Sequence, residues 1–172
     1  MASPLIQIVD ADDNPLRGGT REEARAGGLW HRVVRVILEN PSGQLLLQKR
    51  SPQVFYNPNK WDFSVAGHVD EGESYEAAAK RELLEELGVK VELEEIDHDK
   101  WVGPDHTGAT RRVFSTTYRG IIDESVTVSI QEDEVSEVRW FDVQEIRDLI
   151  NDNPDSVTVG LQYAIAQYYP TK

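Results

Sequence analysis

The stretch from Gly67 to Val89 constrains this chain more than any other. Ser74 is placed to cap a helix N-terminus and Gly88 to supply a left-handed C-terminal cap, which predicts a helix over Ser74–Leu87. The alanines and leucines between them favour it, and Glu76 and Lys80 form a supporting i,i+4 pair. With Ala79 at zero on a helical wheel, Tyr75, Leu83, Leu87 and Leu84 fall at about −40°, +40°, +80° and +140°, and this arc is the expected core face. Glu86 falls at about −20°, inside the arc, with Glu82 at about −60° and Glu85 at about −120°. A solvated face would put its acids opposite the leucines. Three glutamates this close repel one another, more strongly where water is excluded. Arg81 can offset part of that by pairing with Glu85, and hard divalent cations, which prefer carboxylate oxygen, can offset more. Periodicity alone also accommodates an ordinary charged helix.

Composition narrows the partners. The 172 residues suffice for one domain, and 39% hydrophobic against 28% charged residues allows a core. No apolar run approaches the ~18 residues of a membrane span, and Met-Ala-Ser-Pro-Leu lacks the pattern of a secretion signal. The absence of cysteine excludes disulfides, thiolate metal sites and a cysteine nucleophile, and fits a cytoplasmic protein. A net charge of −13 argues against nucleic-acid polymers and anionic membranes as partners. The acidity is uneven: residues 1–66 carry 7 acids and 8 bases, residues 67–100 carry 12 and 4, and residues 123–155 carry 11 and 2. An anionic substrate would need cations between itself and those segments; otherwise the excess acid serves only solubility.

Along the chain, strands are expected at Leu5–Val9, Arg32–Leu38, Gln44–Gln48, Trp61–Ala66, Val89–Leu93, Val113–Tyr118, Val126–Ile130 and Val138–Phe141. Asp10–Gly19 reads as turn-rich, Asn40–Gly43 as a hairpin turn and Lys49–Lys60 as a loop. Further helices are expected over Val143–Ile150, capped by Asp142, and from Gly160 to Tyr169. Strands mixed with few helices indicate an α/β sandwich rather than a strict βαβ repeat.

The spacing decides between the two readings of the acidic helix. Gly67, five residues, Glu73, seven residues, Arg81-Glu82-Leu83, one residue, Glu85-Glu86, one residue, Gly88-Val89 resembles the box of the Nudix hydrolase family at every position. A chance match to its seven fixed residues is on the order of 10⁻⁸ per starting point. The resemblance implies an α/β/α sandwich with a mixed central sheet. The chain would be a single Nudix domain over 1–172, with 1–28 an N-terminal strand-and-turn extension and 67–89 the box. It implies Mg²⁺, with Mn²⁺ as a substitute, and cleavage of a diphosphate linked to another moiety. Carried over by position, Glu85 and Glu86 would be metal ligands, and Glu82 a ligand or the base acting on water. Glu73 and Arg81 would hold loop and helix in register, and the carbonyl of Ala66 would add a ligand. Gly67 would let the strand end pass close to the metal. A downstream glutamate often completes the family's site before a Trp-bearing strand; Glu134 is chosen, with Glu132 and Glu137 as alternatives. The −13 protein would then meet an anionic substrate, a small-molecule diphosphate, through its metals. It would act as a monomer or homodimer.

Leu29-Trp30-His31-Arg32-Val33 with Leu45–Arg50 also resembles the branch containing isopentenyl diphosphate isomerase, where two histidines matching His31 and His68 bind metal. The cysteine that the isomerase needs is replaced here by Ala66, so the chain reads as an isomerase-like hydrolase. The third alternative is a non-catalytic nucleotide-binding domain. His31 is read as a buried structural residue rather than a ligand, and His68 lies beside the metal loop. Substrate contacts are expected from Lys49, Arg50, Phe55, Tyr56, His68, Arg111 and Arg112, with Trp61 and Phe63 in the core. Trp101–His106 is read as a further pocket loop.

Overall fold

The computed structural model describes residues 4–105 and 107–171. A hairpin of β1 (Ile6–Val9) and β2 (Pro15–Gly19) leads into helix α1 (Arg21–Gly27). Strands β3 (Trp30–Glu39), β4 (Leu45–Arg50), β5 (Trp61–Asp62) and β6 (Val65–His68) precede helix α2 (Tyr75–Leu87). Then follow β7 (Glu94–Pro104), β8 (Thr110–Ile121), β9 (Val135–Phe141), α3 (Val143–Asp152) and α4 (Val159–Tyr168), with one 3₁₀ turn at Pro154–Ser156.

Strand β3, rich in β-branched residues, is the spine of a mixed sheet. One edge carries β8 in parallel register from Trp30↔Arg112 to Glu39↔Ile121. The other edge is shared in succession by β1 at His31, β6 at Val33–Val36 and β4 at Leu38 and Glu39. β7 extends the sheet beyond β8, and β4 also pairs with β5 and β9. Side-chain alternation sorts the core into two layers. Val34, Val36, Leu38 and Leu46 pack with Ala78, Ala79, Leu83 and Leu87 of α2. Ile37, Leu45 and Leu47 pack with Ile146 of α3 and Leu161, Ala164 and Ile165 of α4. This is the α/β/α sandwich expected from the sequence.

Helix α2 begins and ends where its caps predict: Ser74 Oγ accepts from the Ala77 N–H, and Gly88 is left-handed at φ 67°. Its wheel needs one correction. Leu84 is exposed, and the buried residues run Ala78, Glu82, Glu86, Ala79, Leu83, Leu87. The buried arc is therefore rotated away from Leu84, and two glutamates lie within it.

Other expectations fail for identifiable reasons. Val89–Leu93 and Val126–Ile130 are not strands. Val91, Leu93, Val128 and Ile130 do pack on the core, but their backbones join no ladder. Ser129 and Gln131 instead donate backbone N–H groups to the Leu87 and Glu86 carbonyls, satisfying the open end of α2. β7 escapes the pattern because Glu94-Glu-Ile-Asp-His-Asp-Lys100 is a charged strand pairing on one side only. The turn-rich Asp10–Gly19 contains β2, an edge strand that begins at a proline. Trp101–Pro104 belong to β7 rather than to a pocket loop, and His106 lies outside the described residues.

Ser64 joins the sheet where β3 changes partner. Its buried hydroxyl accepts from the Leu38 N–H at 2.7 Å and donates to the Leu46 carbonyl at 2.5 Å. Ser64→Ala leaves a buried backbone donor and acceptor unpaired. Urea denaturation is expected to show a loss of about 2–3 kcal/mol, and a loss below ~0.5 kcal/mol would contradict this account.

Candidate active site

Glu82 and Glu86, one turn apart on α2, are 6% and 2% exposed. Burial pushes the Glu82 carboxyl up to about 7; Arg81 opposes this, and the charges of Glu134 and Glu85 add to it. Glu86 is pushed well above the usual carboxylate range by burial and then by Glu82 and Glu134, against a hydrogen bond from Gln48 Nε2 at 3.0 Å. Glu82, Glu86 and Glu134 thus form one mutually repelling set. Gly67 of β6 makes room for it, because a Cβ there would collide with the Glu82 carboxylate.

Arg81 organises the neighbouring loop. Its Nε and Nη2 bind Glu73 Oε1 and Oε2 at 3.0 and 2.9 Å, and Nη2 also donates to the His68 carbonyl at 3.0 Å. Its Nη1 bridges Glu82 Oε1 at 2.9 Å and Glu85 Oε2 at 3.2 Å. Among the described residues no three His, Asp or Glu side chains are already grouped as a metal site, and Arg81 provides the cation between Glu82 and Glu85. The donor set nonetheless suits a hard divalent ion: two buried carboxylates that repel each other, a third nearby, and an adjacent backbone carbonyl at Ala66.

The N-terminal hairpin holds the same loop. Gln7 Oε1 accepts from Gly72 N at 2.8 Å, Gln7 N donates to the Val69 carbonyl at 2.8 Å, and Glu71 Oε1 accepts from Gly18 N at 2.7 Å. Gln7 and Gln48 carried no sequence signal beyond being amides in apolar strands.

A cavity of about 580 Å³ opens beside these acids. Ala66, Gly67, His68, Glu82 and Glu134 line it, as do Arg50, Phe55, Tyr56 and Arg111. Lys49 and Arg112 do not: Lys49 lies over the Trp61 ring, and Arg112 Nη1 donates to the Gly28 carbonyl beyond α1. Glu132 and Glu137 are exposed outside the lining, whereas Asp133 is within it. Phe63 is a core residue whose ring also meets the cavity, and Trp61 packs edge-on to Phe141 at 4.8 Å.

The sequence reading missed Arg21, Arg25 and Arg35, which also line the cavity. A signal existed for the first two. Thr20-Arg-Glu-Glu23 is a capping box, and both reciprocal bonds form. It starts α1 and places Arg21 and Arg25 one turn apart. Arg50 Nη1 pairs with Asp62 Oδ2 at 3.2 Å, while its Nε binds the Tyr56 carbonyl at 2.8 Å.

His31 is buried, and its Nδ1 donates to the Leu29 carbonyl at 3.0 Å. Burial, aided by Arg111, lowers its pKa to about 4. The His68 ring stacks on it at 5.5 Å and is likewise held neutral, by burial first and then by His31, Arg21, Arg111 and Arg50.

No helix among the described residues is long and apolar enough to cross a membrane. The NUDIX domain profile matches residues 29–159. A prenyl-diphosphate phosphatase of Methanosarcina mazei is 34% identical over 167 residues, spanning 96% of this chain and 95% of that protein. An isopentenyl-diphosphate Delta-isomerase of Photorhabdus laumondii is 30% identical over 161 residues, spanning 94% and 90%. The crystal structure of DR0079 from Deinococcus radiodurans superposes with a TM-score of 0.78 at 24% identity, covering 95% of this chain and 98% of that one. The matched profile, these relatives and the intact box around α2 together place the chain in the Nudix hydrolase family.

Proposed function

We propose that the protein is a divalent-metal-dependent pyrophosphohydrolase acting on a nucleoside diphosphate derivative or a similar small diphosphate. The observation that carries this reading is the burial of Glu82 and Glu86 side by side, with the neutral Gln48 amide as the hydrogen-bond partner of Glu86. Arg81 meets Glu82, and burying a second carboxylate beside that pair is costly without a further cation. The phosphatase relative that acts on prenyl diphosphates supports a small diphosphate as substrate.

Glu82, Glu85, Glu86, Glu134 and the Ala66 carbonyl would hold Mg²⁺ or Mn²⁺. The bound ion would neutralise phosphate oxygens and lower the pKa of a bound water. Glu85 is exposed and, among the described residues, is tied only to Arg81, so it is free to turn inward. Gln48 fixes the orientation of Glu86. Glu73 and the His68 carbonyl hold Arg81, and through it the loop from β6 to α2. Glu82 serves as ligand or as the base that takes the proton of the attacking water. The water oxygen forms the new bond to phosphorus, the bridging P–O bond breaks, and the bridging oxygen leaves with the other phosphate.

An isomerase-like activity is the second reading, favoured by the stacked His31 and His68. Ala66 and the absence of cysteine oppose it, since proton transfer at carbon then lacks its thiol. Incubating the protein with isopentenyl diphosphate in heavy water separates the two, because isomerisation incorporates deuterium at carbon and hydrolysis does not.

Replacing Glu85 or Glu86 by Gln is expected to reduce metal-dependent diphosphate hydrolysis by at least about 100-fold, in line with removing a main electrostatic element of catalysis, while the circular dichroism stays native. Full turnover in both variants, or under chelation, would overturn the proposal.

A second test uses pH. The folded Glu82 and Glu86 have raised pKa values, so the folded chain holds protons that the unfolded chain has released. The stabilising contribution of Glu82 is complete below about pH 4.5 and is lost as pH rises through about 7. Without divalent cations, the stability drop from Glu82 across that window is expected to be on the order of 2–3 kcal/mol. Saturating Mg²⁺ or Mn²⁺ should abolish it, and Glu82→Gln should flatten it. Thermal melts from pH 5 to 8 that are identical with and without the cation would count against the site.

A further inference from the structure

The cavity is lined by five arginines, Arg21, Arg25, Arg35, Arg50 and Arg111, drawn from α1, β3, β4 and the start of β8. Two of them have carboxylate partners: Arg35 meets Asp99 at 3.6 Å and Arg50 meets Asp62 at 3.2 Å. Arg21, Arg25 and Arg111 have no carboxylate within ion-pairing distance among the described residues. Arg25 and Arg111 are held on aromatic faces instead. The Arg25 guanidinium lies 4.6 Å from the Phe55 ring centre and that of Arg111 4.9 Å from the Tyr56 ring centre. The two rings meet edge-on at 4.9 Å. The loop between β4 and β5 therefore sets two guanidiniums around one aromatic pair. Arg111 is the most constrained: its Nε is buried and has no hydrogen-bond partner among the described residues. Burial lowers its pKa, and Arg35 and Arg50 add to that against Tyr56 and the Asp62 carboxylate, which Arg50 already engages. Arginine does not deprotonate in response, so the charge stays and needs an anion.

The phosphorus chemistry proposed above indicates which anion. A diphosphate esterified at both ends offers one negative oxygen per phosphorus, which cations held by the carboxylates would answer. A diphosphate with a free end adds a terminal phosphate with up to two charges and three acceptor oxygens. A guanidinium binds that geometry through two parallel N–H bonds. We propose that the substrate is a diphosphate monoester, and that Arg111, supported by Arg25 and Arg21, is the specificity-determining residue that holds its terminal phosphate. Water attack at either phosphorus then gives the same products. One P–O bond forms to the water oxygen, the bridging P–O bond breaks, and the organic monophosphate and inorganic phosphate leave, with the water proton passing to a carboxylate or to solvent.

The inference rests on the hydrolase reading, and the test separates the two. Hydrolysis of ADP and geranyl diphosphate is compared with that of ADP-ribose, whose diphosphate is capped, in the wild type, Arg111→Gln and Arg111→Lys. The wild type should favour the free-ended substrates in kcat/KM by at least about tenfold, the worth of one charge-assisted pair. Arg111→Gln should raise KM for them about tenfold or more, raise it by a clearly smaller factor for ADP-ribose, and weaken competitive inhibition by inorganic phosphate. Arg111→Lys should recover part of the KM effect, because it keeps the charge and loses the fork. Equal efficiency on capped and free-ended substrates, or an equal loss on both in Arg111→Gln, overturns the inference while leaving the hydrolase intact. If no substrate is turned over with Mg²⁺ or Mn²⁺, the hydrolase reading fails instead. Calorimetric binding of α,β-methylene-ADP, compared with its ribose-capped counterpart in wild type and Arg111→Gln, then still decides the preference for a free phosphate end.

Discussion

Burial of the Glu82 and Glu86 carboxylates on the packed face of α2 is the constraint around which the site is arranged. An ion taken out of water needs compensation nearby, or the chain relaxes until water returns. Here relaxation is blocked on each side. Ala78, Ala79, Leu83 and Leu87 hold the helix against β3 and β6, and Gly67 brings the backbone against Glu82 where any side chain would push it away. The loop entering α2 is tied through Glu73 to Arg81, and its other end is tied through Gln7 and Glu71 to the N-terminal hairpin. The hairpin therefore helps to fix the acids, although it lies far from them in sequence. The C-terminal end of α2 is closed by the Ser129 and Gln131 N–H groups, and that same stretch of chain delivers Glu134 to the cavity.

Charge is then partitioned between two sides of one problem. The chain is strongly acidic overall, yet five of its arginines face a single cavity. The carboxylates repel a phosphate and the guanidiniums attract it. Either set alone would be unsatisfactory: acids alone exclude the substrate, and arginines alone bind it without activating water. With cations on the acids, both sets favour the same anion. The uneven charge of the sequence matches this division: residues 67–100 supply the helix acids, and α1, β3 and β4 supply four of the five cavity arginines.

How much could be read in advance depends on whether a residue's role is local. The α2 boundaries followed from Ser74 and Gly88, since caps act within a turn. The inward lean of Glu86 followed from helical geometry. Leu84 falls outside the buried arc because the small Ala78 lets the helix approach the sheet on its other side. Val126–Ile130 shows why alternation is insufficient: Val128 and Ile130 face the core, but the backbone partners lie at the end of α2 rather than in a strand. Lys49 and Arg112 lie beside Arg50 and Arg111 in sequence and turn away from the cavity, because neighbours on a strand point to opposite faces. Gln48 and Gln7 had no local signal, since each works through a partner tens of residues away.

The same strand alternation bears on the choice between hydrolysis and isomerisation. In the sheet register His31 pairs with Val113, so Arg111, two residues earlier on β8, shares the face of His31. On the other edge of β3, Val33 pairs with His68, which brings that ring onto the same face and against His31. The stacked imidazoles are therefore surrounded by guanidiniums: Arg111 acts on both rings, and Arg21 and Arg50 also act on His68. A divalent cation placed on this pair would sit within that positive field, without the carboxylates that favour one on the other side of Gly67. Neutral rings in such a setting pack, donate to a carbonyl as His31 does to Leu29, and leave the charge of the pocket to the arginines. The electrostatics thus favour a cation at the glutamates and an anion on the histidine side, the arrangement that the proposed phosphorus–oxygen cleavage would need and a thiol-dependent proton shuttle would not.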